Sequence, residues 1–80
     1  MGRPGHWFDD ERARQRLQTL GDAVRTIRKG RGVSQETLAF DSGLDRTFVS
    51  AVERGVRNPS LISIYALADA LETNVRDFFP

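Results

Sequence analysis

The 80-residue sequence contains no cysteine and only one histidine, His6. Without cysteine, disulfide bonds and thiolate metal sites are excluded, and a lone histidine leaves a zinc site or a histidine-assisted nucleophile without a second partner. We therefore predict that the chain needs no metal or other cofactor and is not an enzyme. An absence of cysteine also suits a protein of the reducing cytoplasm, which is the location that we expect.

Long apolar runs are missing as well. No stretch approaches the roughly 20 apolar residues of a membrane span, and no signal-peptide pattern opens the chain. The sequence therefore predicts a protein with no membrane partner. A chain of this length is expected to form one domain, with no second domain to bind a small-molecule effector.

The basic residues are concentrated in the middle of the chain. The net charge is only +1, yet residues 25–57 carry seven Lys and Arg residues against four Asp and Glu residues, a local net charge of +3. A clustered basic excess is typical of a surface that binds a polyanion. The alternative from charge alone is a solvated surface without a partner.

Apolar residues recur at helical spacing, and no period-2 strand pattern is present. We predict an all-α fold, a compact bundle of about five short helices within a single domain at residues 9–80, preceded by a flexible tail at residues 1–8. In the first helix the apolar positions are Leu17, Leu20, Val24 and Ile27. This helix is expected to reach residue 29 from an N-cap at Asp9, unless Gly21 divides it near residues 19–21.

Polar residues that favour N-caps precede the remaining four helices. These caps are Ser34, Asp45, Ser60 and Asn74. Gly43 is expected to end the second helix, and Gly55 to end the third helix at residues 46–54. The fourth helix is expected to face the core with Leu61, Ile64, Leu67, Ala68 and Leu71.

The second and third predicted helices are joined by a tight turn at Gly43. This is the helix-turn-helix arrangement, in which the second helix of the pair enters the major groove of DNA. A helical wheel points Val49 and Val52 inward. The opposite side then carries short polar or basic residues, namely Arg46, Thr47, Ser50, Ala51 and Arg54. Short side chains let a helix approach base edges, and an arginine can donate two hydrogen bonds to guanine.

The segment "VSQETLAFDSGLDRTFVSAVERGVRNPSLISIYALADAL" resembles the DNA-binding domain of transcriptional regulators of the Cro/cI phage-repressor type, which has the lambda-repressor-like fold. The resemblance extends from about Leu20 to Phe79. Within that family, "LDRTFVSAVERGVRNPSL" is most similar to the controller proteins of restriction–modification systems, which are homodimers. The resemblance implies a regulator that binds double-stranded DNA at a two-fold repeated operator. The alternative is an antitoxin-type module that neutralises a partner protein.

The family pattern also implies roles for individual residues. Base reading is assigned to Arg46, Thr47, Ser50 and Ala51, and phosphate contact to Gln35, Arg54, Arg57 and Asn58. Arg28 and Glu53 are expected to form a structural ion pair between the first and third helices.

A dimer interface is expected to contain Phe78, Phe79 and Val75, with packing inside their own chain as the alternative. Phe48 is expected to pack on the core rather than to face the groove. Arg3 could contact DNA from the N-terminal tail.

Overall fold

The computed structural model describes residues 10–80, which form four α-helices and a final 3-10 helix. The helices are α1 (Glu11–Gly30), α2 (Gln35–Ser42), α3 (Arg46–Glu53) and α4 (Leu61–Ala70), and the 3-10 helix covers Val75–Phe78. The predicted all-α fold is confirmed, although the fifth element is a single 3-10 turn. The expectations for the tail at residues 1–8, including Arg3, lie outside the described residues.

The first helix is continuous over 20 residues, so the suggested division near Gly21 is wrong. Its N-cap is Asp10, whose carboxylate accepts a hydrogen bond from the backbone N–H of Arg12, so the assignment of the cap to Asp9 was one residue early. Gly21 serves tertiary packing instead. A Cβ placed there would overlap the carbonyl oxygens of Val52 and Glu53, the latter at 2.7 Å. The bare glycine therefore lets α1 contact the end of α3.

The four predicted caps of the later elements are confirmed. Ser34, Asp45 and Ser60 each accept a hydrogen bond from a backbone N–H in the first turn of the following helix. Asn74 forms a reciprocal capping box with Asp77 at the 3-10 helix. Gly43 ends α2 in the left-handed conformation (φ 74°), which a residue without a Cβ adopts at little cost. These local signals set the helix boundaries.

The core lies where all the elements converge. Its fully buried side chains are Val24 of α1, Leu38 of α2, Val49 and Val52 of α3, Leu67 of α4, Leu71 and Phe78. The dimer-interface prediction for Phe78 is wrong, because its ring is 0% exposed within its own chain and cannot contact a second copy. Phe79 remains 54% exposed, whereas Val75 is partly buried against the core.

Helix α4 is apolar on both sides. Leu67 and Ala68 are buried, while Ile62 and Tyr65 are exposed. Leu61 is 63% exposed, so its expected place on the core-facing side is wrong. When nearly every position of a helix is apolar, periodicity no longer indicates which side is buried. Among residues 10–80, no helix is both long enough and apolar enough to cross a bilayer.

Candidate nucleic-acid interface

The outer side of α3 is short, polar and basic. Arg46 and Thr47 are exposed in the first turn and Arg54 is exposed at the C-cap, while Ser50 and Ala51 are half-buried between them. On the opposite side, Val49 and Val52 are 0% and 1% exposed. The five predicted outward-facing residues therefore lie on one accessible side, which is fixed to the core from behind.

The first turn of α3 is organised by Asp45. Its Oδ1 accepts hydrogen bonds from the backbone N–H of Thr47 at 2.8 Å and from the Thr47 hydroxyl at 2.5 Å. These bonds lower the pKa of Asp45 below its ordinary value of 3.8, and the bond from the Thr47 hydroxyl has the larger effect. Because the Thr47 hydroxyl donates to Asp45, its oxygen can still accept a hydrogen bond and its methyl group remains available for apolar contact.

Arg46 projects from the start of α3 toward α2. Its Nε lies 4.0 Å from Oε1 of Glu36, and both side chains are mostly exposed to solvent. An exposed ion pair at this distance is weak and screened by salt. Arg46 is consequently available to a stronger anionic or hydrogen-bonding partner.

The loop after α3 carries Arg57 and Asn58, both exposed. The guanidinium Cζ of Arg57 lies 5.2 Å from the centroid of the Phe48 ring. Phe48 itself is partly buried against the core, as expected from its place on the flank of α3. Pro59 is buried, which fixes the far end of the loop. Arg57 thus lies beside α3, whereas Asn58 lines a recess with the first half of α1.

A buried polar network holds α3 from the other direction. Arg28 Nε donates to Glu53 Oε2 at 2.6 Å, and its Nη2 donates to Oε1 at 3.0 Å, in a two-bond pair between side chains that are 10% and 2% exposed. Arg28 Nη1 also donates to the Val33 carbonyl oxygen at 2.8 Å. Gln35 Nε2 donates to Glu53 Oε1 at 3.0 Å. Glu53 therefore ties α3 to both α1 and α2.

The residues that sequence reasoning missed are apolar and exposed. Phe40 of α2 is 85% exposed, and Ile62 of α4 is 76% exposed. The only sequence signal for the α4 residues was the nearly unbroken apolar run "LISIYALADA". Within residues 10–80, no three side chains of the metal-binding types are grouped closely enough to hold a metal ion.

Comparison with known proteins adds to this geometry. The helix-turn-helix family pattern matches residues 24–78. This chain belongs to the helix-turn-helix family. Its relatives include the control protein C.SmaI of Serratia marcescens, 45% identical over 72% of this chain and 69% of the relative. The control protein C.BamHI of Bacillus amyloliquefaciens is also 45% identical, over 72% of this chain and 73% of the relative. The predicted resemblance to restriction–modification controllers is confirmed.

Solved structures agree with that assignment. The crystal structure of the restriction–modification controller protein C.AhdI from Aeromonas hydrophila has a TM-score of 0.77 and 52% sequence identity, and the match covers 79% of this chain and 96% of C.AhdI. The controller C.Esp1396I, solved as a tetramer on its natural 35-base-pair operator, has a TM-score of 0.74 and 36% identity over 80% of this chain and 84% of that protein. This chain therefore has the same fold as the controller proteins C.AhdI and C.Esp1396I.

Proposed function

We propose that this protein is a sequence-specific transcription regulator that binds double-stranded operator DNA with α3 in the major groove. The observation that carries the proposal is the exposed, short and basic side of α3 behind which Val49 and Val52 are buried. A helix with this shape can approach base edges closely. The regulator is expected to act in the cytoplasm. The relatives named above are control proteins, which does not favour the antitoxin alternative.

Base reading is proposed for the first two turns of α3. Arg46 can donate two hydrogen bonds to O6 and N7 of guanine, leaving the weak contact with Glu36. The methyl groups of Thr47 and Ala51 can contact a thymine methyl, and Ser50 lies between them on the same side. The bond from the Thr47 hydroxyl to Asp45 restricts the orientation of the Thr47 side chain.

Phosphate contacts are proposed on either side of these base readers. Arg57 and Asn58 lie in the loop after α3, and Arg54 lies at its C-cap. Gln35 is half-buried at the start of α2 and donates through Nε2 to Glu53. An amide nitrogen carries two hydrogens, so Gln35 can brace α3 and still donate to a phosphate oxygen. Contacts of this kind fix the position of the protein on the duplex.

We further propose that the protein acts as a homodimer. One α3 helix spans only about four or five base pairs, and regulators of this type read two half-sites about 34 Å apart, related by two-fold symmetry. The tetramer of the relative C.Esp1396I on its operator supports such an assembly. With Phe78 buried, we assign the symmetric contact to exposed apolar residues of α4, Leu61, Ile62 and Tyr65, together with the predicted Phe79 and Val75.

The base-reading proposal is tested by selecting bound DNA from a random pool and by replacing Arg46. Arg46→Ala is expected to weaken binding to the selected site by about 1–3 kcal/mol and to relax the choice of base at one position. The matched control is Arg14→Ala on α1, where the arginine is exposed and paired with Glu11. An Arg46→Ala protein that selects the same sequences as the wild type would show that Arg46 reads no base.

The dimer proposal is tested by placing a charge on the outer side of α4. Ile62→Asp is expected to convert the dimer to a monomer in sedimentation experiments, because a carboxylate at an apolar interface is desolvated without a partner. Phe40→Asp, at an apolar residue on α2 that is at least as exposed as Ile62, is expected to leave the dimer intact. Equal dimerisation of the Ile62→Asp variant and the wild type would rule out this face of α4.

A further inference from the structure

The side chains of Arg57 and Phe48 form a stacked pair at the edge of the proposed DNA-binding surface. The Arg57 Cζ lies 5.2 Å from the centroid of the Phe48 ring, within the range of a cation–π interaction. The ring is held from behind because Phe48 packs against the core, whereas Arg57 is exposed. Both side chains line a shallow recess that also contains Asp45, Thr47 and the turn between α2 and α3. The Phe48–Arg57 pair therefore lies next to the first turn of α3.

Arg57 is oriented by the ring of Phe48 rather than by an ion pair, although Asp45 lines the same recess. The ion pairs formed among residues 10–80 involve Arg12, Arg14, Arg28 and Arg46, but not Arg57. A carboxylate partner would have to be displaced before a phosphate could bind. An aromatic face instead attracts the guanidinium through its quadrupole and leaves the N–H groups at the guanidinium edge free to donate.

We propose that Phe48 is a positioning residue for the phosphate contact of Arg57. The ring holds the guanidinium beside the first turn of α3, so less side-chain freedom is lost when the phosphate is bound. Phe48 then contributes to operator affinity through Arg57, without contact with a base. This inference rests on the proposed DNA binding and adds a residue to it.

A double-mutant cycle on the selected operator tests the inference. Dissociation constants are measured over a series of salt concentrations for the wild type, Phe48→Leu, Arg57→Ala and the double variant. Phe48→Leu is expected to weaken binding about two- to fivefold, the strength of an exposed cation–π pair. Arg57→Ala is expected to weaken binding to all sequences and to reduce the salt slope by about one unit. In the Arg57→Ala background, Phe48→Leu should cause no further loss.

Two controls separate positioning from a general effect on the fold. Phe48→Tyr keeps an aromatic face and is expected to bind within about twofold of the wild type. Phe48→Leu combined with Arg54→Ala should show additive losses, because the Arg54 Nε bonds the Ser50 carbonyl oxygen rather than the ring. Urea unfolding of each variant shows how much of any loss is due to core packing.

The outcomes are distinguishable. A loss from Phe48→Leu that is the same with and without Arg57 overturns the positioning role alone. A wild-type affinity and salt slope for Arg57→Ala overturns the phosphate contact and the positioning role with it. Failure of every variant and of the wild type to select any DNA sequence overturns the proposed function itself.

Discussion

Replacing Gly21 with alanine is expected to destabilise this protein, although alanine is the better helix former. In an isolated helix the change would stabilise by about 1 kcal/mol. In this fold the added Cβ would overlap the carbonyl oxygens of Val52 and Glu53, with 2.7 Å to the second. Backbone atoms cannot rotate away as a flexible side chain can, so α1 and α3 must separate.

The magnitude follows from these opposing effects. Forcing extra atoms into a packed contact costs about 1–3 kcal/mol and occasionally more. A contact with two backbone carbonyls belongs to the upper part of that range. After the gain in helix propensity is subtracted, we expect Gly21→Ala to lower the free energy of unfolding by about 2 kcal/mol. The displaced end of α3 should also weaken operator binding.

Gly30→Ala is the matched control, because Gly30 ends the same helix and an added Cβ would meet nothing within 4 Å. This variant should be as stable as the wild type or up to about 1 kcal/mol more stable. The assay is urea unfolding followed by helical circular dichroism at one fixed protein concentration, since the proposed dimerisation would contribute to apparent stability. If Gly21→Ala matched Gly30→Ala in stability, the close approach of α1 to α3 would not be a packing constraint.

Two further predictions concern charges that hold α3. Glu53→Ala leaves Arg28 buried without its partner and should cost about 3–5 kcal/mol in urea unfolding, whereas the apolar pair Arg28→Met and Glu53→Leu should recover most of that loss. A double variant no more stable than Glu53→Ala would contradict this account. Hydrogen bonds from Thr47 lower the pKa of Asp45 below 3.8 in the folded protein. The Asp45 carboxylate therefore stabilises the fold fully above pH 3.8, and this stabilisation is lost as the pH falls through the folded-state pKa of Asp45. Asp45→Asn, which still caps, should lack this part of the acid dependence in unfolding experiments at pH 2–5; an unchanged profile would contradict the assignment.

The helix starts and the orientation of α3 could be predicted from sequence because both depend on local information. A capping residue acts on N–H groups two or three residues away, as Ser34 and Asp45 do here. Val49 and Val52 are three residues apart, so the helical period places them on one side of α3 and the polar residues on the other. The buried side of α3 could therefore be predicted. The order of the two helices followed from their caps and from the turn at Gly43, and the family resemblance predicted double-stranded DNA as the partner.

The remaining features depend on contacts between distant parts of the chain. Gly21 reads as a helix interruption unless the nearby end of α3 is known. Phe78 and Phe79 are adjacent and chemically identical, yet only the geometry of the 3-10 helix decides that the first is buried and the second exposed. The exposed side of α4 could not be identified from sequence, because nearly all of its residues are apolar. Sequence periodicity contains none of this information.

The position of α3 is fixed by contacts that leave its outer side unused. The two valines hold it to the core, and Gly21 brings the α1 backbone against its C-terminal turn. Glu53 bonds Arg28 of α1 and Gln35 of α2 at the same carboxylate. A helix held at its buried side and its end can meet base edges without reorganising, and preorganisation of this kind reduces the free energy lost on binding. Changes at Gly21 or Glu53 should therefore weaken binding to all sequences, because neither residue faces the groove and each acts on the placement of α3.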